Sequence, residues 1–224
     1  MQILINAGVV IGSYLLGAVP FGFIFVRLKT GKDIRDVQSG RTGGTNAMRA
    51  AGFWVGLSTA LVDILKGTVA VWLARMFVPG NEWLAVVCPL AAIIGHNYSV
   101  FLLSRSPDGR LRLGGGAGGA TSLGGSIGLW WPSVLVIFPL AALIYYFIGY
   151  ASIATMSVAF LSALLFGYRA YAGLGPPEYI WYGVLSLALL LWALRPNIKR
   201  LFEGSERLHG YRARKQKQAA GETP

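Results

Sequence analysis

The chain has 224 residues, 54% hydrophobic and only 13% charged, with 20 Lys and Arg against 9 Asp and Glu for a net charge of +11. That balance excludes an ordinary soluble domain, and a lone cysteine, Cys88, excludes a disulfide framework or a thiolate metal cluster. The positive charge comes without zinc-ligand spacing or an RNA-binding signature, so the expected partner is anionic membrane lipid and not nucleic acid.

A membrane span needs roughly 20 apolar residues, and seven segments are candidates: 3–26, 53–75, 83–103, 117–131, 132–149, 151–168 and 177–194. The fourth is short and glycine-rich, and only Gly149-Tyr150-Ala151 parts the fifth from the sixth. The expected fold is an all-α integral membrane protein, a bundle of about seven transmembrane helices forming one domain over 1–204. Residues 205–224 are polar and basic with no apolar stripe, the composition of a solvated, disordered tail. Charge sets the expected orientation. Loops 27–52 and 104–116 and the segment from 195 onward hold 17 of the 20 Lys and Arg residues. By the positive-inside rule they share the cytoplasmic side, with the N-terminus outside and the C-terminus cytoplasmic. The first span carries no charge before Arg27, so it lacks the basic start of a cleaved signal peptide.

Taken in chain order, the first chemistry-bearing segment is Ser39-Gly40-Arg41-Thr42-Gly43-Gly44-Thr45-Asn46, closing on Arg49 at the start of the second span. Backbone N–H groups, hydroxyls and a fixed guanidinium are what a protein uses to hold a phosphate. A solvated loop accounts for basic residues there, but not for the run of small polar ones. Asp63 and Lys66 follow, spaced i, i+3 on one face of the second span. Either charge alone costs roughly 3 kcal/mol or more near the bilayer centre, so they pair or face a polar interior. A register-fixing ion pair and a direct substrate role both fit.

Cys88, flanked by Val86, Val87, Pro89 and Leu90, reads as small apolar filler. His96, in Gly95-His96-Asn97-Tyr98, either serves a backbone carbonyl or reaches the site; His209, in the tail, has no evident role. Eight glycines fall within residues 114–128, and the run Gly114-Gly115-Gly116-Ala117-Gly118-Gly119-Ala120-Thr121 enters the fourth span directly. A phosphate-cradling turn at a helix N-terminus fits it better than a linker. It is not a Walker loop, since no Gly-Lys-Ser/Thr follows. Phe101 and Arg214 stand five positions after the two histidines, so no His-x4-Asp acyltransferase motif exists, and no Gly-x-Ser-x-Gly elbow occurs. The chain shows no internal repeat of the kind that builds transporters from inverted halves.

Five motifs resemble those of the bacterial acyl-phosphate:glycerol-3-phosphate acyltransferases of the PlsY type, small seven-span proteins of the cytoplasmic membrane. They are Asp33-Ile34-Arg35 with Ser39-Gly40-x-x-Gly43-x-Thr45-Asn46-x-x-Arg49; Asp63-x-x-Lys66-Gly67; Gly95-His96-Asn97-Tyr98-Ser99-Val100-Phe101-Leu102; Gly115-Gly116-x-Gly118-x-Ala120-Thr121; and Asn197-Ile198-x-Arg200-Leu201-x-x-Gly204-x-Glu206. The resemblance covers nearly the whole chain. It implies transfer of a fatty acyl group from acyl phosphate to the sn-1 hydroxyl of glycerol 3-phosphate, on the cytoplasmic face of the inner membrane. The implied partners are acyl phosphate, glycerol 3-phosphate and membrane lipids, with no cofactor and no metal.

Carried over by position, the resemblance implies Ser39, Arg49 and Asn197 as catalytic residues. It implies Gly40, Gly43, Thr45, Asn46, Lys66, His96, Gly115, Gly116, Gly118 and Thr121 as substrate-binding, with Asp63 and Glu206 as structural support. An acyl phosphate is already activated, so positioning two anions and stabilising developing charge can supply the acceleration without a covalent intermediate. Two positions depart from the family pattern. Ala117 stands where its glycine loop carries Lys, and Leu194 where a His precedes the C-terminal Asn by three. The loop from Ser104 to Arg112 is longer than usual, and Arg110 or Arg112 is expected to replace the missing cation. The alternatives are a relative with another acceptor, or a membrane protein that binds or transports lipids or organophosphates.

Overall fold

Proline and glycine cut the apolar runs into helices. In the computed structural model, which describes residues 1–105 and 109–219, α1 (Gln2–Ala18) ends before Pro20 and α2 (Phe21–Thr30) begins after it. The residue before a proline is pushed out of the helical region, and Val19 stands at φ −58°, ψ 117°. A 3-10 turn over Ile34–Asp36 leads to the short α3 (Gly44–Ala51), then α4 (Phe53–Phe77) and α5 (Glu82–Asn97). A small antiparallel hairpin, β1 (Leu103–Arg105) and β2 (Leu111–Leu113), pairs Leu103 with Leu113 and Arg105 with Leu111. After it come α6 (Gly119–Leu129), α7 (Ser133–Ile148), α8 (Ala151–Tyr171), α9 (Tyr179–Ala193), α10 (Arg195–Phe202) and α11 (Gly210–Ala219). Residues 106–108 of the expected long loop and 220–224 of the expected tail lie outside the described residues.

Each of the seven expected segments contains helix, the first of them two helices, α1 and α2, but the lengths differ. Among the described residues four segments are long and apolar enough to cross a membrane: Gln2–Thr30, Phe53–Phe77, Glu82–Leu102 and Ala151–Tyr171. The pair α9 and α10, bent by 68°, makes a fifth if it counts as one span. The fourth expected span fares worst, because α6 is only 11 residues long. At about 1.5 Å per residue it reaches little more than half of a 30 Å hydrocarbon core. Instead it is buried along nearly its whole length between its neighbours.

The bundle is turned inside out relative to a soluble protein. Trp72, Phe138, Leu164 and Trp192 face outward, each more than half exposed, while Ser122, Ser126, Ser162, Asp63 and Lys66 are buried. In lipid the exterior gives no hydrophobic drive between helices, so close backbone approach through small residues takes over. The α4–α6 crossing shows this. A Cβ on Gly67 would strike the Thr121 carbonyl, and one on Gly124 would strike that of Ile64. That crossing fixes α6 along α4, with its first turn beside the Ser39–Arg49 loop and its last turn near the far end of α4.

Arg75, in the last turn of α4, closes that far end. Its guanidinium donates to the carbonyls of Gly128 and Leu129 at 2.9 Å each, and to the Tyr179 hydroxyl at 2.8 Å. Tyr179 in turn donates to Glu82 Oε2 at 2.6 Å.

Candidate active site

The opposite end of the bundle holds a cavity of about 610 Å³ between the Ser39–Arg49 loop, the start of α6, the start of α8 and the segment 194–209. Asn46 shapes the first wall. Its Nδ2 is directed at the carbonyls of Ile34, Val37 and Arg41, at 3.2, 2.9 and 2.9 Å. Two hydrogens among three acceptors fold the loop 34–41 around one buried amide, which leaves that N–H₂ committed to the loop. Ser39, Gly43, Thr45 and Arg49 line the cavity, and Gly40 stands behind it at φ +67°, where its missing Cβ leaves room for the Arg35 carbonyl.

The glycine run supplies the second wall. Gly116 N donates to His96 O at 2.8 Å and Thr42 N to Gly115 O at 3.2 Å, so 114–116 is threaded between two neighbouring segments. A Cβ on Gly116 would collide with His96 Nε2, and one on Gly115 with the His96 and Asn97 carbonyls. Gly118, at φ +86°, then turns the chain into α6. Among the described residues no side chain caps α6 or α3, and Gly43–Thr45 and Gly118–Ala120 both face the cavity. Two sets of first-turn N–H groups, each at the positive end of a helix, are therefore available to anions. Thr121, one turn in, is buried and does not line the cavity.

Asp63 and His96 form the floor. Beneath them Lys66 Nζ lies 2.8 Å from Asp63 Oδ1, 2.8 Å from His96 Nδ1 and 3.4 Å from the Val19 carbonyl. An ammonium has three hydrogens and no acceptor, so His96 Nδ1 and the Val19 carbonyl accept from it, and Asp63 is its ion-pair partner. The charge of Lys66 is consumed inside the protein, and His96, accepting at Nδ1, carries its proton on Nε2 beside Gly116.

Arg41, a residue the sequence analysis left without a role, reaches across the cavity. It donates through Nη1 to Gly116 O at 2.9 Å, and through Nη2 to Ala193 O at 2.6 Å and Asn197 Oδ1 at 3.4 Å. One guanidinium thus ties the first loop, the glycine run and the α9–α10 bend together. Burial, and then Arg200 nearby, disfavours its charge, yet an arginine stays protonated in any protein setting. Arg200 and Arg207 line the cavity as well, as do Leu194 and Asn197.

Neither Arg110 nor Arg112 lines the cavity, which corrects the expectation that one of them supplies the missing cation. Arg112 sits on β2, paired in register with Ser104, and its strand is exposed throughout. The cation beside the glycine run is Arg41.

Residues 205–209, expected to belong to a solvated tail, lie along the cavity. Glu206 accepts from Asn197 Nδ2 at 3.1 Å and from Ser152 Oγ at 2.7 Å. Arg207 donates to Gln38 Oε1. His209 lies against Arg49, with its Nε2 2.7 Å from Arg49 Nη2. Four arginines and two carboxylates line the walls, and among the described residues Arg49 has no carboxylate partner. The cavity is built to receive negative charge.

The family model described as glycerol-3-phosphate acyltransferase matches residues 7–204. The chain belongs to the glycerol-3-phosphate acyltransferase family. A glycerol-3-phosphate acyltransferase from Syntrophomonas wolfei is 37% identical over 203 residues, covering 90% of this chain and 95% of that protein. The crystal structure of PlsY, an integral membrane glycerol 3-phosphate acyltransferase, in its glycerol 3-phosphate form aligns with TM-score 0.77 and 30% identity, covering 92% of this chain and 96% of that one. Its lysophosphatidic acid form aligns with TM-score 0.75 and 29% identity, covering 92% and 95%. Within this acyltransferase family match, Arg41 and Arg49 fall inside the matched residues, whereas Arg207 and His209 lie beyond residue 204.

Proposed function

We propose that this chain acylates glycerol 3-phosphate at the sn-1 hydroxyl with an acyl phosphate as donor, giving lysophosphatidic acid and phosphate, the opening step of phospholipid synthesis. The observation that carries the reading is the convergence of two uncapped helix N-termini and four arginines on one cavity. A reaction between two phosphorylated molecules needs two anion sites within bonding distance of each other. The family membership and the relatives named for glycerol-3-phosphate acylation support the acceptor.

In the proposed mechanism, Ser39 and Arg49 hold one phosphate against the start of α3. The Ala117–Ala120 turn at the start of α6 holds the other, backed by Gly115 and Gly116, while Asn197 orients a reacting group and Glu206 fixes Asn197. The acceptor hydroxyl oxygen attacks the acyl carbonyl, the bond to phosphate breaks, and the hydroxyl proton leaves with a phosphate oxygen. Developing charge on the departing phosphate falls among N–H groups and guanidinium donors already in place. The acyl chain lies between the helices, entering from the lipid side.

The proposed setting is a bacterial inner membrane crossed seven times, with α6 and α7 as short spans, the N-terminus outside and the cavity cytoplasmic. The charge distribution supports it, since 17 of 20 Lys and Arg residues fall in the three segments on the cavity side.

The test is phosphate release by the purified protein in a bilayer containing palmitoyl phosphate, with and without glycerol 3-phosphate. Acceptor-dependent release that Arg49→Ala lacks is the expected result. No release from folded protein overturns the donor assignment, and vesicle uptake of glycerol 3-phosphate without release replaces it with transport.

A further inference from the structure

His209 occupies a position that neither the family match nor the proposed mechanism uses. The segment carrying it is tied down at every step. Ser205 N and Glu206 N donate to Arg200 O at 2.8 and 3.1 Å, Leu208 bridges to Tyr150, and His209 N donates to Gly149 O at 2.7 Å. The imidazole lies over the Tyr145 ring, with centroids 5.6 Å apart and planes inclined by 25°. So held, Nε2 points at Arg49 Nη2 at 2.7 Å. A guanidinium is donor only. The imidazole nitrogen facing it must therefore accept, which makes His209 neutral with its proton on Nδ1.

The chemistry of that pair is unusual for an arginine at an anion site. A carboxylate in this place would direct the guanidinium but cancel the charge it has to offer. A neutral imidazole directs it and leaves the charge whole. One of the five N–H donors of Arg49 is engaged, and the rest stay available to a phosphate oxygen pair.

We propose that His209 is a positioning residue of the acyl-transfer site, holding Arg49 in its anion-binding direction without neutralising it; this rests on the acyltransferase reading above. Protonation destroys the arrangement, because an imidazolium has no acceptor and faces a like charge. The groups around the ring are Arg49 from α3, Tyr145 from α7, and Glu206 and Arg207 from its own segment. Burial first, then Arg49 and Arg207, hold its pKa below the ordinary imidazole value, against a smaller upward pull from Glu206. The ring therefore stays neutral at pH 7 and takes up a proton only on the acid side of the ordinary imidazole range.

The experiment compares wild type, His209→Ala and His209→Gln in bilayers, with palmitoyl phosphate and glycerol 3-phosphate, from about pH 5 to 8. Affinity for inorganic phosphate is measured alongside as a readout independent of turnover. Gln offers a fixed carbonyl acceptor near the place of Nε2 and does not titrate. His209→Ala should lose roughly tenfold in kcat/KM and in phosphate affinity, the scale of one hydrogen bond. His209→Gln should recover most of that loss and lack an acid limb that wild type shows. Wild-type values in His209→Ala overturn the proposal, as does a Gln variant as weak as Ala with the acid limb still present. If wild type itself shows no acceptor-dependent turnover, the acyltransferase reading has failed, and the phosphate titration alone decides the role of His209.

Discussion

Two arginines without an ion-pair partner among the described residues sit at opposite ends of the bundle, and they could hardly be used more differently. Arg75 donates to two carbonyls at the C-terminal end of α6 and to the Tyr179 hydroxyl. It satisfies carbonyls that a helix end leaves over and engages three of its five N–H donors in doing so. Arg49, which lines the same cavity as the N-terminal end of that helix, has one hydrogen-bond partner among the described residues, a histidine nitrogen. The N–H groups of that first turn are likewise uncapped. One end of α6 is finished by the protein, and the other is left to be finished by something negative. Unpaired donors at a helix end are costly to keep dry, so an end left open beside four arginines marks where a ligand belongs.

Breaking each end should therefore fail in a different currency. Arg49→Ala has the largest expected effect, on the order of a hundredfold in kcat/KM, the worth of a charge-assisted bidentate contact. Its thermal midpoint in detergent should stay near wild type, since no protein carbonyl loses a donor. Arg75→Ala should do the reverse. Three acceptors are orphaned, costing about 2–3 kcal/mol of stability, while the protein that remains folded turns over normally. Equal stability losses in the two variants would erase the distinction between a closed and an open end.

Arg41 belongs to the open end but behaves partly like Arg75, because its fork bridges Gly116 O and Ala193 O. Arg41→Lys keeps the charge and loses the fork. It should cost about 1–2 kcal/mol of stability and lower turnover by loosening the glycine run, with the net charge of the cavity unchanged. A variant with wild-type stability and turnover would show that the charge matters and the bridging does not.

The parts of the site that could be read from the sequence are those whose chemistry is local. A run of glycines ending in a helix, and a loop of Ser, Thr, Gly and Asn closing on Arg49, announce themselves by what their own backbones permit. The α6 length could not be read the same way. Hydropathy over 117–131 registers apolar residues but not the fact that Gly118 turns the chain and only 11 residues stay helical. The cavity cations were harder still. Arg41 meets Asn197 across 156 positions, and Arg49 meets His209 across 160. Nothing local marks which arginine of a basic segment, or which residue of a polar tail, turns inward. Glu203 and Glu206, two carboxylates in a basic run, were the signals available, and of the two Glu206 is the one that lines the cavity.

The hairpin offers the smallest and sharpest test of that distinction between sequence position and place in the fold. Arg110 and Arg112 lie close in sequence to the Ala117 vacancy, and proximity along the chain made them natural substitutes for a lysine. In the fold neither Arg110 nor Arg112 lines the cavity and Arg112 is on an exposed strand, while Arg41, 76 positions before Ala117 in the sequence, stands at the glycine run itself. Replacing Arg110 and Arg112 together by Gln should therefore leave the Michaelis constant for glycerol 3-phosphate within about twofold, the range of surface changes away from a site. A large rise at moderate ionic strength would mean that the hairpin folds over the cavity when substrate binds, and would transfer to it the role assigned here to Arg41.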